Sequence, residues 1–363
     1  MDVTFTVPKA QTAILQQEGG VLKITPNQPI PEINPGQMLV KIHAVALNPC
    51  DWKMPLRFPT EGLWDGCDFS GTVVALGDQV AQAGRFRLGD RVFGAVQGSN
   101  QSDPQSGAYC EYVRAFPDFT FHIPDEMSFT TAPAISGTGI ATLGVALFWS
   151  LQLQGTLDKP ITKPEDVFVY GGSSTIGLLA IQFVKLCGYR VITTCSPQNF
   201  DLVRSYGADL AFDYKSPTCV EDIRAATKNH LRYVLDPFAD MKTVRLCQEI
   251  IGRTGGRYCA LEEYQEDLCT RKVIKHELVM GGAISGNGVE LPKPYGSPPR
   301  PEIGEWARPW YRSIQELILT AKIRPTPIEI IPGRFDGILN GLEMLKHGSV
   351  SGKKLIVSME ASD

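Results

Sequence analysis

Residues 166–189 constrain the fold more than any other stretch, because a β-favouring run, a glycine-rich turn and an apolar helix follow one another without interruption. Val167, Phe168, Val169 and Tyr170 make the run, and Gly171, Gly172 and Gly177 frame a turn through Ser173, Ser174, Thr175 and Ile176. Ile176, Leu179, Ala180, Phe183, Val184 and Cys187 then recur at helical spacing up to Gly188, before a second β-like run at 190–194. This is one βαβ unit, so the spacing predicts an α/β fold with a parallel sheet. Glycines at such a turn let the backbone approach a pyrophosphate, and the helix start attracts the anion. Ser174 and Thr175 stand where the usual fingerprint has its middle glycine. A tight turn without a ligand would leave the same pattern.

The end of the second strand adds discrimination. A site for NAD usually carries Asp or Glu there to hold the ribose 2′-hydroxyl. This chain has Cys195, Ser196, Pro197, Gln198 and Asn199, with Arg204 nearby. A neutral hydrogen-bonding loop tolerates a 2′-phosphate that a carboxylate would repel, which favours NADPH as cofactor.

At 363 residues the chain is long enough for two domains. Its hydrophobic content of 43% and charged content of 20% describe a soluble globular protein, and no apolar run looks long enough to cross a bilayer. Asp2 lies where a secretory signal would be basic, so export is not expected. The nine cysteines are scattered and odd in number, which suits the reducing cytoplasm better than a disulfide framework. A net charge of −4 argues against broad binding to nucleic acid or to a membrane.

From Thr12 to about Phe121 the chain reads as strands at 22–24, 38–47, 71–76, 91–96 and 108–113, a mostly antiparallel β domain. Helical patterns follow at 128–132 and 139–149. Beyond the glycine corner, helices are expected at 201–206, 220–230 and 243–251, and strands at 233–236 and 257–261. Residues 287–309 are rich in proline and are expected to hold little regular structure. A helix at 310–321 then leads to a final unit at 328–331, 335–346 and 354–357, which could rejoin the first domain.

Five short motifs occur in one order: Leu47-Asn48-Pro49-Cys50-Asp51; Gly66-Cys67-Asp68-Phe69-Ser70-Gly71 with Val74 and Gly77; Gly89-Asp90-Arg91-Val92-Phe93-Gly94; the corner at 171–177; and Gly207-Ala208-Asp209 with Asp213-Tyr214. In this order they resemble the medium-chain dehydrogenase/reductase superfamily, in its zinc-independent quinone oxidoreductase and enoyl reductase branch. The resemblance implies a GroES-like β-rich substrate domain over 1–158, completed by 310–363, and a Rossmann doubly wound parallel-sheet domain for NADPH over 159–309. Zinc-dependent relatives present Cys, His and sometimes Glu where this chain has Asn48, Cys67 and Asp68. No metal is therefore expected, since a catalytic zinc takes about three protein ligands.

More closely, Asn48-Pro49-Cys50-Asp51-Trp52-Lys53-Met54, Cys195-Ser196-Pro197-Gln198-Asn199-Phe200 and Val350-Ser351-Gly352-Lys353-Lys354-Leu355 resemble the trans-acting enoyl reductases of fungal polyketide pathways. The resemblance implies a polyketide synthase partner, which can be fused to a peptide synthetase, and an enoyl substrate held on its acyl carrier protein. The reaction implied is hydride delivery from NADPH to the β-carbon of an α,β-unsaturated thioester, then protonation at the α-carbon.

Such a reaction needs donors at the thioester oxygen and a proton source. Lys53 is the first catalytic candidate, read as lying on a loop after Asn48; the bland alternative is a surface lysine. Thr142 is the second, and a threonine bonded within its own helix is the alternative. The resemblance assigns cofactor contacts to Cys50, Asp51, Trp52, Lys53, Ser173, Ser174, Thr175, Ile176, Ser196, Pro197, Gln198, Asn199, Tyr214, Leu261, Glu262, Val350 and Ser351. Tyr214 could pack on the adenine, reach the ribose, or be a half-buried aromatic after a strand. An acyl pocket would be lined by Leu143-Gly144-Val145-Ala146-Leu147-Phe148-Trp149-Ser150 and Gly281-Gly282-Ala283-Ile284-Ser285, which could equally be core. The prolines after Ile284 cannot sustain a sheet extended across a dimer, so a monomer is expected.

Overall fold

The computed structural model describes residues 5–360, so Asp2 lies outside the described residues. The described chain forms two compact units, one from Met1–Thr138 with Gln315–Asp363 and one from Gly139–Ile314. The divisions expected from sequence stood at 158/159 and 309/310.

The first unit opens with an antiparallel pair, β1 (Ala10–Gln16) and β2 (Leu22–Pro29). Strand β3 (Met38–Ala46) leads into helix α1 (Pro49–Arg57), where the sequence had suggested a loop. Asn48 is the N-cap, Pro49 sits at the first helical position, and Asp51 accepts the Asn48 backbone N–H at 2.8 Å. Those start signals were present in Asn-Pro-x-Asp, and the shortness of the helix hid its period. Strand β4 (Asp68–Leu76), helix α2 (Asp78–Ala83) and strands β5 (Arg91–Ala95), β6 (Tyr112–Ala115) and β7 (Thr120–His122) follow. One face of these strands closes a core around Met38, Val40, Phe69, Val73, Phe86, Val92 and Tyr109.

In the expected helix at 128–132 the structure has turns, with a 3-10 turn at Ala132–Ile135. Ser136, with φ +68°, then breaks the chain before α3 (Gly137–Gly144). A wider π-helical turn, Val145–Ser150, continues α3, its Leu151 N–H reaching the Ala146 carbonyl at 2.8 Å. The whole run Ala132–Ser150 is long and apolar enough to span a bilayer, contrary to the reading from sequence. It is 78% buried inside the protein, so its apolar residues serve as core.

The second unit is a six-stranded parallel sheet. In chain order come β8 (Asp166–Val169), α4 (Thr175–Leu186), β9 (Arg190–Thr194), α5 (Phe200–Ser205), β10 (Leu210–Phe212) and α6 (Cys219–Ala226). Then follow β11 (Tyr233–Asp236), α7 (Met241–Ile250), β12 (Gly256–Ala260) and β13 (Ile274–Leu278). The order β10-β9-β8-β11-β12-β13 reverses direction between β8 and β11, the doubly wound arrangement. Helix α6 ends at Ala226, short of the expected 230, because Lys228 and Asn229 adopt positive φ. Strands β10 and β13 were not read from the sequence; β10 has three residues, and in Ile274–Leu278 Lys275, His276 and Glu277 mask the apolar pattern. Helix α8 (Pro301–Leu319) begins nine residues before the expected 310, with Pro301 in its first turn, where a missing N–H costs nothing, and Pro309 inside it. Trp306 and Trp310 on α8 stack on each other and meet Phe148 edge-on or tilted, which places the π-helical turn in the core of this unit.

The chain then returns to the first unit. Strand β14 (Ile328–Ile330), helix α9 (Arg334–Lys346) and strand β15 (Lys354–Ser358) complete the seven-stranded sheet β14-β15-β3-β4-β5-β7, with β6 also on β3. Helix α9 packs against α1, and Leu342 and Leu355 join the core that includes Val40.

Candidate active site

In the second unit the glycine corner is held by close packing. A Cβ on Gly171, whose φ is +64°, would lie 2.3 Å from the Phe238 ring, and one on Gly172 would lie 2.1 Å from Thr193 Oγ1. No side chain fits at either position, so the turn packs its backbone directly against Phe238 and Thr193, the tight strand-to-helix corner on which phosphate cradles are built. Ser174, the misfit of the fingerprint, is the N-cap of α4: its Oγ accepts the Gly177 N–H at 3.1 Å and donates to the Gly171 carbonyl at 2.8 Å. Ser173, Thr175 and Ile176 are half-buried beside it at the start of a twelve-residue helix. Phe238 is placed by Asp236, whose carboxylate accepts the N–H groups of Phe238 and Ala239 at 3.0 Å each and the hydroxyls of Thr243 and Tyr258. Burial raises the Asp236 carboxyl above its ordinary value despite those donors.

The end of β9 carries no carboxylate. Ser196 Oγ lies 3.4 Å from Tyr214 Oη, Pro197 and Gln198 are exposed, Asn199 is half-buried, and Tyr214 is 37% exposed with its ring 6.1 Å from Tyr170. Lys215 Nζ lies 5.7 Å from the Tyr214 ring centre. Glycine cradle, helix start and neutral rim together fit a nicotinamide dinucleotide. At the end of β12, Leu261 donates its N–H to the Asp236 carbonyl at 3.1 Å, and Glu262 accepts from the buried Tyr295 hydroxyl, a partner not read from the sequence.

Thr142 and Gly281 meet within this unit. A Cβ on Gly281 would stand 2.5 Å from Thr142 Oγ1, so the glycine lets the 3-10 turn Gly281–Ser285 lie against α3. Of the acyl-pocket candidates, Leu143, Val145, Ala146, Leu147, Ser150 and Ile284 are buried, as is Gly144, whose Cβ would touch Trp310. Thr142, Phe148, Trp149, Gly281, Gly282, Ala283 and Ser285 keep exposed surface.

In the first unit, α1 carries Cys50, Asp51, Trp52 and Lys53. Asp51 is 1% exposed, and its Oδ2 accepts from Tyr109 Oη at 2.5 Å as well as from the Asn48 N–H. It is thus a structural carboxylate holding the helix start. Burial pushes its carboxyl up, against the lowering effect of Tyr109 and Asn48. Trp52 and Val350 pack on the same core, while Ser351 is exposed. Lys53 is half-buried, its Nζ 5.8 Å from the Trp52 ring centre.

Asp68 and Lys354 form a buried ion pair beneath α1, at 0% and 3% exposure, with Nζ 3.4 Å from Asp68 Oδ2 and also on Asn48 Oδ1. Asn48 Nδ2 donates to Asp68 Oδ2 at 3.1 Å and Ser136 Oγ does so at 2.9 Å. The backbone N–H and hydroxyl of Thr138 both reach Oδ1 at 2.8 Å. Sequence reasoning named Asn48 and Asp68 only as lost metal positions and gave Lys354 no role.

Residues 34–125 match the family described as alcohol dehydrogenase GroES-like domain, and 175–293 the one described as zinc-binding dehydrogenase. The chain is 53% identical over 362 residues to the enoyl reductase cheB of Chaetomium globosum, covering 98% of this chain and 96% of that one. It is 50% identical over 355 residues to the trans-enoyl reductase ffsC of Aspergillus flavipes, covering 97% of each. Among solved structures, the CurK enoyl reductase superposes with a TM-score of 0.74 at 17% identity, over 96% of this chain and 99% of that one. The quinone oxidoreductase from Coxiella burnetii does so with a TM-score of 0.68 at 25% identity, over 97% and 100%.

The zinc of that second family description does not fit the residues here. Asn48 Oδ1 and Asp68 Oδ2 already hold the Lys354 ammonium, and Asp68 accepts four further hydrogen bonds. Cys50, Asp51 and Cys67 do bring ligand atoms within 4.8 Å of one another. Asp51, however, is engaged by Tyr109. The Cys67 thiol is pushed well up by its hydrogen bond with Cys50, by burial and by the Asp51 charge; in Cys50 the bond to Cys67 lowers, but burial and Asp51 prevail. Both thiols are thus harder to deprotonate than an ordinary cysteine, which disfavours them as zinc ligands. With nearly full-length relatives at half identity and both domain families in register with the two units, the chain belongs to the medium-chain dehydrogenase/reductase superfamily, among its enoyl reductases.

Proposed function

We propose that the protein is a trans-acting enoyl reductase that uses NADPH to saturate an α,β-unsaturated polyketide thioester presented on the acyl carrier protein of a partner synthase. The observation that carries this reading is the likeness, at 53% and 50% identity over nearly the whole chain, to proteins named enoyl reductase and trans-enoyl reductase. NADPH rather than NADH follows from the uncharged rim of Ser196, Gln198, Asn199 and Tyr214, which offers hydrogen bonds to a 2′-phosphate and no like charge.

When bound, the cofactor supplies a hydride to the β-carbon. The glycine corner and the start of α4 receive its pyrophosphate, and Tyr214 and Ser196 orient its adenosine end. Thr142, packed beside Gly281, has a hydroxyl able to donate to the thioester oxygen as enolate charge grows. The Lys53 ammonium holds positive charge for the same enolate or for the ribose hydroxyls, and the α-carbon takes its proton from a hydroxyl or from water. The prolines at 292, 294, 298, 299 and 301 leave the chain beyond β13 unsuited to pairing with a second copy, so it acts as a monomer; its free cysteines suit the reducing cytosol.

The test follows NADPH oxidation with an α,β-unsaturated acyl-pantetheine thioester, with NADH and a simple quinone in parallel. Turnover on the thioester with NADPH is expected. Lys53→Ala and Thr142→Ala should each lower kcat by about 10²-fold, the scale of one lost oxyanion donor, with NADPH binding kept. Turnover on quinone alone would make the protein a free-standing quinone reductase, and NADPH binding with no turnover on either would make it a non-catalytic partner subunit. Sedimentation showing a stable dimer at micromolar concentration would overturn the monomer.

A further inference from the structure

Lys354 stands out from Lys185, Lys346 and Lys353, which also pair with carboxylates. The side chains of Lys185, Lys346 and Lys353 in their ion pairs are 42–52% exposed, whereas Lys354 is 3% exposed against an Asp68 at 0%. Burying an ammonium and a carboxylate together is costly, and an apolar pair of the same size usually serves stability as well or better. The position therefore calls for a role other than stability.

We propose that the Lys354 ammonium is a built-in cation that fixes the first turn of α1, and so makes Lys354 a positioning residue for Lys53. Two consecutive residues entering α1 are tied to two consecutive residues opening β15. Leu47 donates its N–H to the Leu355 carbonyl at 3.0 Å, and Asn48 Oδ1 takes the Lys354 ammonium. Asp68 holds the opposite end of the same amide through Asn48 Nδ2 at 3.1 Å. The Asn48 side chain is thereby clamped at both ends, its oxygen toward the cation and its nitrogen toward the anion. Its backbone N–H, directed at Asp51 Oδ2, sets the N-cap from which Lys53 is five residues away. A divalent metal would draw the same oxygens together, but a lysine cannot dissociate. It also carries one charge, which Asp68 balances. The polar hub is complete without any ligand, and Lys53 projects from the helix it fixes.

The activity arm of this inference rests on the proposed function; the exchange arm does not. Hydrogen–deuterium exchange over α1 and enoyl reduction are compared in the parent, Lys354→Met, Lys354→Arg and the double variant Lys354→Met/Asp68→Asn. In Lys354→Met the amides of 51–54, 56 and 57 are expected to exchange at least about tenfold faster, with β3 and β4 unchanged. The value of kcat should drop at least about tenfold while KM for NADPH holds. Lys354→Arg should recover part of both. The double variant leaves no charge unpaired, so it folds where the single one does not, and it should still show a loose α1 and slow turnover. Parental α1 exchange in either Met variant overturns the proposal, as does a loosened α1 with parental kcat. A parent without enoyl reductase activity would refute the proposed function, and α1 exchange would then decide the role of Lys354.

Discussion

The glycine corner of the second unit and the Asn48–Asp68–Lys354 hub of the first are built in opposite ways. The corner is neutral, local and partly exposed: Gly171, Gly172, Ser174 and Gly177 lie within seven positions, and Ser173 to Ile176 keep exposed surface. The hub is charged, long-range and closed. Lys354 reaches Asn48 across 306 positions and Asp68 across 286. A site that must receive a phosphate benefits from backbone amides and empty space, whereas a site that must hold a helix at one angle benefits from paired charges that water cannot reach. The corner is a receptor, and the hub is a clamp.

That difference is broken most strongly at Asp68. Asp68→Ala leaves the Lys354 ammonium buried without its anion and is expected to destabilise the protein by about 3–5 kcal/mol. The control is Glu329→Ala, which removes the partner of Lys353 in an ion pair of 3.3 Å whose side chains are 39% and 52% exposed. That loss should be about 1 kcal/mol or less, since water screens what remains. Urea unfolding of both variants makes the comparison, and equal losses would show that the hub is not electrostatically closed.

The same contrast explains what could be read from the sequence. The corner, the parallel sheet and the neutral loop after β9 are legible because strand, turn and helix are adjacent and each leaves a periodic or glycine signal. Helix α1 is hard to tell from a loop by sequence although Asn48, Pro49 and Asp51 spell its start, because nine residues with Pro55 inside give no clear period. Lys354 was invisible for a stronger reason. In Lys353-Lys354 one lysine pairs with Glu329 at the surface and the other is buried, and only the pairing of β15 with β3 decides which. Tyr295 on Glu262, Tyr109 on Asp51 and the contact of Cys50 with Cys67 share this character: each is a long-range meeting that no local pattern announces.

Ser196→Asp places a carboxylate where the loop is uncharged. If the 2′-phosphate sits within about 4 Å, the repulsion amounts to about 1–4 kcal/mol between aqueous and surface-like dielectric. The affinity for NADPH should fall at least about tenfold and that for NADH should not. Titration of both cofactors against parent and variant measures this. Equal weakening of the two would move the phosphate away from Ser196.

The smallest expected effect concerns Asp51, which belongs to the clamp and is nevertheless pushed upward by burial. In the native state its carboxyl keeps a proton that the unfolded chain, with an ordinary value of about 3.9, has already released. The native state binds more protons across that window, so stability must fall as pH rises from about 4 through the raised native value. Asp51→Asn has no such titration. It loses the charged acceptor for Tyr109 and the Asn48 N–H, but its deficit against the parent should shrink as pH rises through the window and stay constant above it. Relief of the neighbouring Asp65, whose carboxyl is raised well above its ordinary value by burial and by the charge of Asp51, acts in the same direction. Urea midpoints of parent and variant across the acid range decide the matter. A deficit that grows with pH would mean that the Tyr109 and Asn48 hydrogen bonds outweigh burial, and that Asp51 is as well paired as Asp68.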